Sequence, residues 1–356
     1  MLRTVVDLAA ADRFEELADR FTPELRAAAS ADLVRLAWAK EVGELRSVGE
    51  PVNLGSGTFS VRLNGNVDLF ASFDEQGRVS GLRLAAAAQW TPPPYAKPHL
   101  FTETDVLAGQ RPGALALPRK GNGIGVVLLS GGGPFDRDGT AGAMKPLKDL
   151  AWGLAGRGVA SVRFDKPVDA PTLTEEYVPH AVAGVELLRE HVDRVFVVGH
   201  SAGGKVAPKV ALAAPAVSGL VLMAADTQPM TDTAVRVGRR LGQDLTEVAA
   251  RTADVTADTP AGELLFGFPA TYWLELKAYD QVATAIEADR PMLVLQGGRD
   301  YQVTVEDDLP AWRRVPRAEI RILPELDHMF FPDNGTHVDE QVIEDIAAWV
   351  SSPAAD

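Results

Sequence analysis

The stretch "RVFVVGHSAGGKVAP", Arg194 to Pro208, decides how the rest of the chain is read. An apolar run over residues 195–198 meets Gly199-His200-Ser201-Ala202-Gly203, and the small residues of a helix follow. A Gly-x-Ser-x-Gly match is weak by itself. It gains weight when it ends a buried strand and opens a helix. Such a turn takes about two residues, strains the serine backbone and makes its side chain project. Glycines at 199 and 203 let neighbouring backbone pass close. The first-turn N–H groups of the helix then lie free beside Ser201.

Short, near-continuous apolar runs recur on either side. They are "GIGVVLLS" (123–130), "VASVRFD" (159–165), "GLVLMAA" (219–225), "RPMLVLQG" (290–297) and "AEIRILP" (318–324), with helix-like segments between them. Strands read this way when helices cover both faces of a parallel sheet. The expected body is therefore an α/β fold with a mostly parallel sheet, whose ligands bind beyond the carboxyl ends of the strands. An insertion over about 226–289 is far longer than an ordinary connection of ~2–6 residues, and predicts a helical lid. Its aromatics include Phe266, Phe268, Tyr272, Trp273 and Tyr279. Tyr272 and Trp273 are the candidates for lining a substrate pocket.

Residues 1–90 behave differently. Two stretches at helical spacing, with Thr22-Pro23 as cap and first turn, precede three alternating runs joined at Asn64-Gly65 and Gln76-Gly77. That is a small α+β domain. "WTPPPYAKP" (90–98) opens a connector with leading strands over 91–120, and the catalytic body is expected over 121–356.

A serine hydroxyl is a poor nucleophile unless a base takes its proton and a carboxylate orients that base. Of the six histidines, His328 in "LPELDHMFF" follows the last strand-like run, where the sheet edge returns it to the turn. His200, inside the pentapeptide, is expected to point away from the serine. Asp300 follows "PMLVLQG" by a short glycine turn and completes the order Ser, Asp, His. Among its rivals, Glu306, Asp307 and Asp308 read as the start of a helix, Asp327 is too close in sequence to grip its neighbour's ring, and Asp280 remains. The oxyanion donors are expected to be the N–H of Ala202 and one from "SGGGPFDRDGT", with Gly132 first and Gly131 second. That loop lacks the ending of a phosphate-binding loop. Asp136, Arg137 and Asp138 are read as a local clamp holding it.

With these residues assembled, the chain resembles the α/β-hydrolase superfamily. More narrowly it is similar to bacterial esterase-like or prolyl-oligopeptidase-like serine hydrolases that carry an N-terminal DUF3887 domain. "FEELADRFTPELRAAASADLVRLAW" and the strands after it carry the first likeness. "LLSGGGPFDRDG", "VRFDKP", "GHSAGGKVAP", "PMLVLQGGRDYQV" and "LPELDHMFF" carry the second. The resemblance implies a triad of Ser201, Asp300 and His328 with Gly132 in the oxyanion loop, and esterase activity. Ser130-Gly131 stands where many such hydrolases have His-Gly, and Pro167 where they carry a basic residue.

Composition narrows the alternatives. The formal net charge of −14 is a poor start for nucleic acid or an anionic membrane. There is no cysteine, hence no disulfide and no thiolate metal site. No cofactor and no metal are expected. Acidic residues at 7, 12, 15 and 16 break any apolar leader, so a cytoplasmic enzyme acting on a small acyl substrate is expected. An acyl-transfer role (thioesterase, cyclase or carbon–carbon hydrolase) is the alternative, and a non-catalytic binding protein the third reading. The N-terminal domain is open to pairing as a homodimer through its exposed strand edge.

Overall fold

The computed structural model describes residues 1–352 except 56, 75, 88, 134, 168, 241 and 261–263. Positions 241 and 261–263 of the expected lid thus lie outside the described residues. The chain divides into Met1–Trp90 with Arg239–Gln243, and Thr91–Gly238 with Asp244–Asp356.

In the first unit, four short helices stand where the helical spacing predicts two: α1 (Leu2–Ala10), α2 (Phe14–Ala18), α3 (Pro23–Ala28) and α4 (Ala31–Glu41). Local backbone signals break the periodic stretches. Asp12 is left-handed at φ 57°, which an L-residue adopts at a cost and which ends α1. Ser30 accepts from the Leu33 N–H at 3.3 Å and starts α4 afresh. Thr22 caps α3 in the same way, with proline at its first position. The strands β1 (Val52–Gly55), β2 (Thr58–Leu63), β3 (Val67–Phe73) and β4 (Val79–Ala86) form an antiparallel meander, one strand more than the alternation predicts. Along β3, residues 67, 69, 71 and 73 are buried and those between are not, so one face supplies the core.

The second unit opens with β5 (Phe101–Ala108) and β6 (Arg111–Pro118). There follow β7 (Ile124–Leu129), α5 (Pro146–Ala155), β8 (Ala160–Phe164), α6 (Leu173–Arg189), β9 (Arg194–His200), α7 (Ala202–Ala213) and β10 (Val217–Met223). The long insertion holds α8 (Met230–Arg240), α9 (Thr246–Ala253), α10 (Ala270–Ala278) and α11 (Gln281–Ala288). The chain closes with β11 (Met292–Gly297), α12 (Leu309–Trp312), β12 (Ala318–Leu323) and α13 (Glu340–Ser351).

The eight strands run in the order β12-β11-β10-β9-β7-β8-β6-β5. Pairing is parallel from β8 through β12, and antiparallel where β6 meets β8 and β5. This is an α/β-hydrolase fold. Along β7 successive residues feed opposite cores, Val127 and Leu129 toward α6, α7 and α11, Val126 and Leu128 toward α5 and α13. Each such fully buried side chain contributes roughly 1.5–3 kcal/mol, which is why the runs are apolar without alternation. The insertion corrects the expected lid in one respect. Val282, Ala285 and Ala288 of α11, together with Tyr272 of α10, belong to the body's core, so the C-terminal part of the insertion packs as body.

The glycine loop after β7 is held by the sheet rather than by itself. Asp136 stays local, accepting from Thr140 N and Oγ1 at 2.9 and 2.7 Å. Arg137 instead reaches Asp165 and Asp105, each at 2.9 Å. Asp138 accepts from Arg163 Nε at 2.9 Å and Lys145 Nζ at 2.7 Å. The expected clamp holds in part: the Asp138 N–H donates to Asp136 Oδ1 at 3.1 Å, but the side chains of Arg137 and Asp138 tie the loop to β8 and its neighbours instead. Arg163 is 1% exposed and also donates to Glu103 at 2.8 Å. Removing one partner of a buried ionic cluster strands the others. Replacing Arg163 with methionine is expected to lower stability by about 3–5 kcal/mol, read as the shift in urea midpoint.

Candidate functional site

Ser201 sits between β9 and α7 with φ 52° and ψ −119°. A non-glycine residue held there costs roughly 1–3 kcal/mol, and its neighbours explain how it is held. A Cβ at Gly199 would lie 2.3 Å from the Gly203 carbonyl oxygen, and one at Gly203 2.6 Å from the carbonyl oxygens of Leu129 and Ser130. Only glycine fits either place. The Ser201 N–H donates to the Met223 carbonyl at 2.8 Å, and its own carbonyl accepts from Lys205 N at 2.9 Å. The turn is thus pinned to β10 on one side and to the first turn of α7 on the other.

His328 lies in the loop after β12, 7% exposed. Its Nδ1 is 2.8 Å from Asp300 Oδ2. A carboxylate only accepts, so Nδ1 carries the proton and Nε2 of the neutral ring keeps a lone pair. Asp300 is itself fixed: Oδ1 accepts from Gln302 N and Val303 N at 2.8 and 3.0 Å, and Oδ2 from Gln296 Nε2 at 3.2 Å. Gln296 is a part of this arrangement that the sequence reading missed. The rival acids are engaged elsewhere. Asp327 accepts from Met329 N and Phe331 N and shapes the His328 loop. Asp280 caps α11. Asp308 sits at the start of α12 but is fully buried, and it ties Thr227 N, Gln228 N and Thr304 N together at 2.7, 3.1 and 2.9 Å. It braces two strand-end loops, a role beyond the helix-dipole reading.

His200 corrects another expectation. It does not turn away from the site: its Nε2 lies 2.8 Å from the His328 carbonyl oxygen, the two rings are 4.9 Å apart, and it lines the same cavity as Ser201. The carbonyl requires Nε2–H. Burial, aided by the neighbouring His328, pulls its pKa down to about 4, so it stays neutral at pH 7.

One cavity of about 650 Å³ brings the pieces together. Ser201, Ala202, His328, Gly131 and Gly132 line it at the strand ends, and Phe266, Phe268 and Tyr272 line it from the insertion. Asp300 stands behind His328. Trp273 is a correction: its indole N–H donates to the Leu265 carbonyl at 3.0 Å and its ring packs with Val255, Leu265 and Ala270 within the insertion. Residues 272 and 273 are adjacent on α10, so their side chains leave the helix about 100° apart, and only one can face the cavity.

Two buried ion pairs also line or back the cavity. Glu176 of α6 pairs with Lys166 and accepts from Tyr272 Oη at 2.6 Å. Lys205 pairs with Asp226 at 2.5 Å. Lys166 Nζ donates to Tyr177 Oη at 3.0 Å, and Tyr177 Oη donates to the Gly131 carbonyl at 3.0 Å. Burial holds the Tyr177 and Tyr272 phenols protonated. Among the described residues no group of three or more His, Asp or Glu side chains is arranged to hold a metal ion, and no helix is long and apolar enough to cross a membrane.

Comparison with known proteins agrees with this architecture. Residues 126–344 match the model of the alpha/beta hydrolase family. The chain belongs to that family. It is 32% identical over 321 residues to Esterase EstD of Thermotoga maritima, covering 80% of this chain and 77% of that protein. Among solved structures, hypothetical protein PA2218 of Pseudomonas aeruginosa superposes with a TM-score of 0.52 at 16% identity, over 76% of this chain and 99% of that one. The esterase Pf2001 of Pyrococcus furiosus does so at 0.50 and 15%, over 74% and 94%. At such identities these two structures speak for the hydrolase fold alone.

The low pKa of His200 has a consequence for stability. The unfolded ring, at 6.5, takes up its proton before the folded one, at about 4. Its contribution to stability is therefore complete above pH 6.5 and is lost as the pH falls from 6.5 toward 4. His200→Gln keeps a donor for the His328 carbonyl without the titration. Between pH 7 and pH 4 the wild type is expected to lose about 3 kcal/mol more than this variant, measured by urea unfolding at each pH.

Proposed function

We propose that this hydrolase-family chain cleaves carboxylic esters through an acyl-enzyme on Ser201. One observation carries it: the strained serine opens onto the same cavity as His328, whose Nδ1 is held by buried Asp300 at 2.8 Å. His328 Nε2 takes the Ser201 proton as Oγ attacks the acyl carbon. Asp300 keeps the ring in the required tautomer and steadies the imidazolium. The imidazolium then protonates the leaving alcohol. In the second half His328 deprotonates a water, which releases the acid and restores Ser201. The 32% identical relative from Thermotoga maritima is an esterase, which supports the substrate class. The N-terminal unit we read as the DUF3887-type domain that accompanies such bodies.

The oxyanion would be held by two N–H groups. Ala202 is the first residue of α7, where the N–H has no partner within the helix. Gly132 is supported by a relay. Its peptide is trans, so its N–H points opposite to the Gly131 carbonyl. Tyr177 grips that carbonyl, and Lys166 donates to Tyr177 in turn. The N–H therefore points away from Tyr177, and Gly132 lies beside Ala202, whose Cβ is 3.6 Å from where a Cβ on Gly132 would be.

Ser201→Ala is the primary test. Turnover of a p-nitrophenyl acyl ester is expected to fall on the order of 10⁴–10⁶ in kcat, and a fluorophosphonate probe should label the wild type only. Unchanged turnover refutes the mechanism. Tyr177→Phe releases the Gly131 carbonyl while leaving the cavity intact. Losing an oxyanion donor outright costs about 10²–10³ in kcat; loosening one is expected to cost about tenfold, with KM little changed, in assays run below the variant's melting range.

A further inference from the structure

Lys205 is out of character with its surroundings. The first turns of α7 are otherwise small or apolar, Ala202, Gly203, Gly204, Val206 and Ala207, because they pack against strand ends. Yet a lysine stands one helical turn after Ser201, on the wall of the same cavity. Its side chain is 7% exposed, and that of its partner Asp226, in the loop after β10, is 9% exposed.

The hydrogen-bonding capacity of the pair is not filled. An ammonium has three protons. Asp226 Oδ2 stands 2.5 Å away as its ion-pair partner, and among the described residues the one hydrogen bond Nζ donates goes to the Gln228 carbonyl, at the long distance of 3.5 Å. Oδ1 of Asp226 has no recorded donor there. Burying an ion pair costs more than burying apolar side chains of equal size. Such a pair contributes little to stability as it stands, and has both a donor and an acceptor to offer a ligand. The walls of the same cavity include the apolar Leu173, Phe268 and Leu276.

We propose that Lys205 and Asp226 form a subsite for a neutral group that both accepts and donates a hydrogen bond, a carboxamide or hydroxyl, carried on the acyl chain of the substrate. The proposal rests on the ester-hydrolase reading of Ser201. The pair is neutral as a whole, so a charged tip would meet a like charge from one partner, whereas a carboxamide satisfies both at once. Four residues along a helix span about 6 Å, so the polar group sits about that far from the scissile carbonyl, with an alkyl spacer against the apolar walls.

The test compares p-nitrophenyl esters of matched length, hexanoate and 5-carbamoylpentanoate, with acetate as a chain too short to reach the pair. Wild-type kcat/KM is expected to favour the carbamoyl ester over hexanoate at least about tenfold, since a site built for hydrogen bonds rejects the analogue that lacks them. In the double variant Lys205→Met, Asp226→Leu the ratio is expected to fall below one. The readout is a ratio, so a general loss of activity cancels. A wild type that turns over acetate but does not prefer the carbamoyl ester overturns the subsite, as does a double variant that keeps the preference. A wild type that turns over none of the three overturns the ester-hydrolase reading itself. The wild-type comparison decides even where the double variant fails to fold.

Discussion

Three backbones cross at the end of β9 with no room for a side chain between them. Cβ atoms at Gly199, Gly203 and Gly204 would lie 2.3, 2.6 and 2.7 Å from Gly203 O, Leu129 O and Ala225 Cβ respectively. This close approach holds Ser201 at positive φ and sets the start of α7 against the ends of β7 and β10. It brings the glycine loop to within reach of Ala202. The strain at Ser201 persists because hydrogen bonds to Met223 and Lys205, together with these contacts, over-determine the turn. The same device recurs at the neighbouring strand end. A Cβ on Gly297 would stand 2.6 Å from the carbonyls of Leu326 and Asp327, so glycine there lets the His328 loop pass over β11 and meet Asp300.

Buried charge gathers where the strands end. Asp300, Asp308, Asp226, Lys205, Lys166 and Glu176 are all buried, and most belong to loops or first turns at the carboxyl edge of the sheet. The strand interiors beneath are apolar through β7, β9 and β11, apart from Gln296 and His200 near their ends. Ionised groups in such a place need partners, and each has one: Asp300 has His328, Glu176 has Lys166, Lys205 has Asp226, and Asp308 has three backbone N–H groups. The resulting network does two things. It sets the tautomer of His328, and through Tyr177 it orients a peptide next to the serine. Tyr272 joins α10 of the insertion to the same network through Glu176.

Much of the fold was legible in sequence because its signals are local. A strand buried on both faces must be largely apolar, and five such runs stand in order along the body; the sixth, at the sheet edge, is half-exposed and carries Glu319 and Arg321. Glycines beside a serine, and an aspartate and a histidine just past later strands, mark places where the chain turns at one edge of the sheet; the structure brings Ser201 and His328 to one cavity with Asp300 behind. The helices of the first unit were less legible, since spacing alone does not reveal that Asp12 and Ser30 interrupt it. Nor does spacing tell Tyr272 from Trp273, which differ only in which side of α10 meets the cavity.

What the sequence determined by itself is the set of positions where only one residue type fits and the order in which they occur, because steric exclusion and period act over a few residues. The tertiary structure decided the partners. Lys166 with Tyr177 and the Gly131 carbonyl, His200 on the His328 loop, Gln296 behind Asp300, and Lys205 against Asp226 are pairings between side chains whose neighbours arise only once the sheet is assembled. A lysine in a helix of small residues is unusual in sequence. That it faces a buried carboxylate one turn from Ser201 depends on how β9, α7 and β10 pack, and no local rule carries that information.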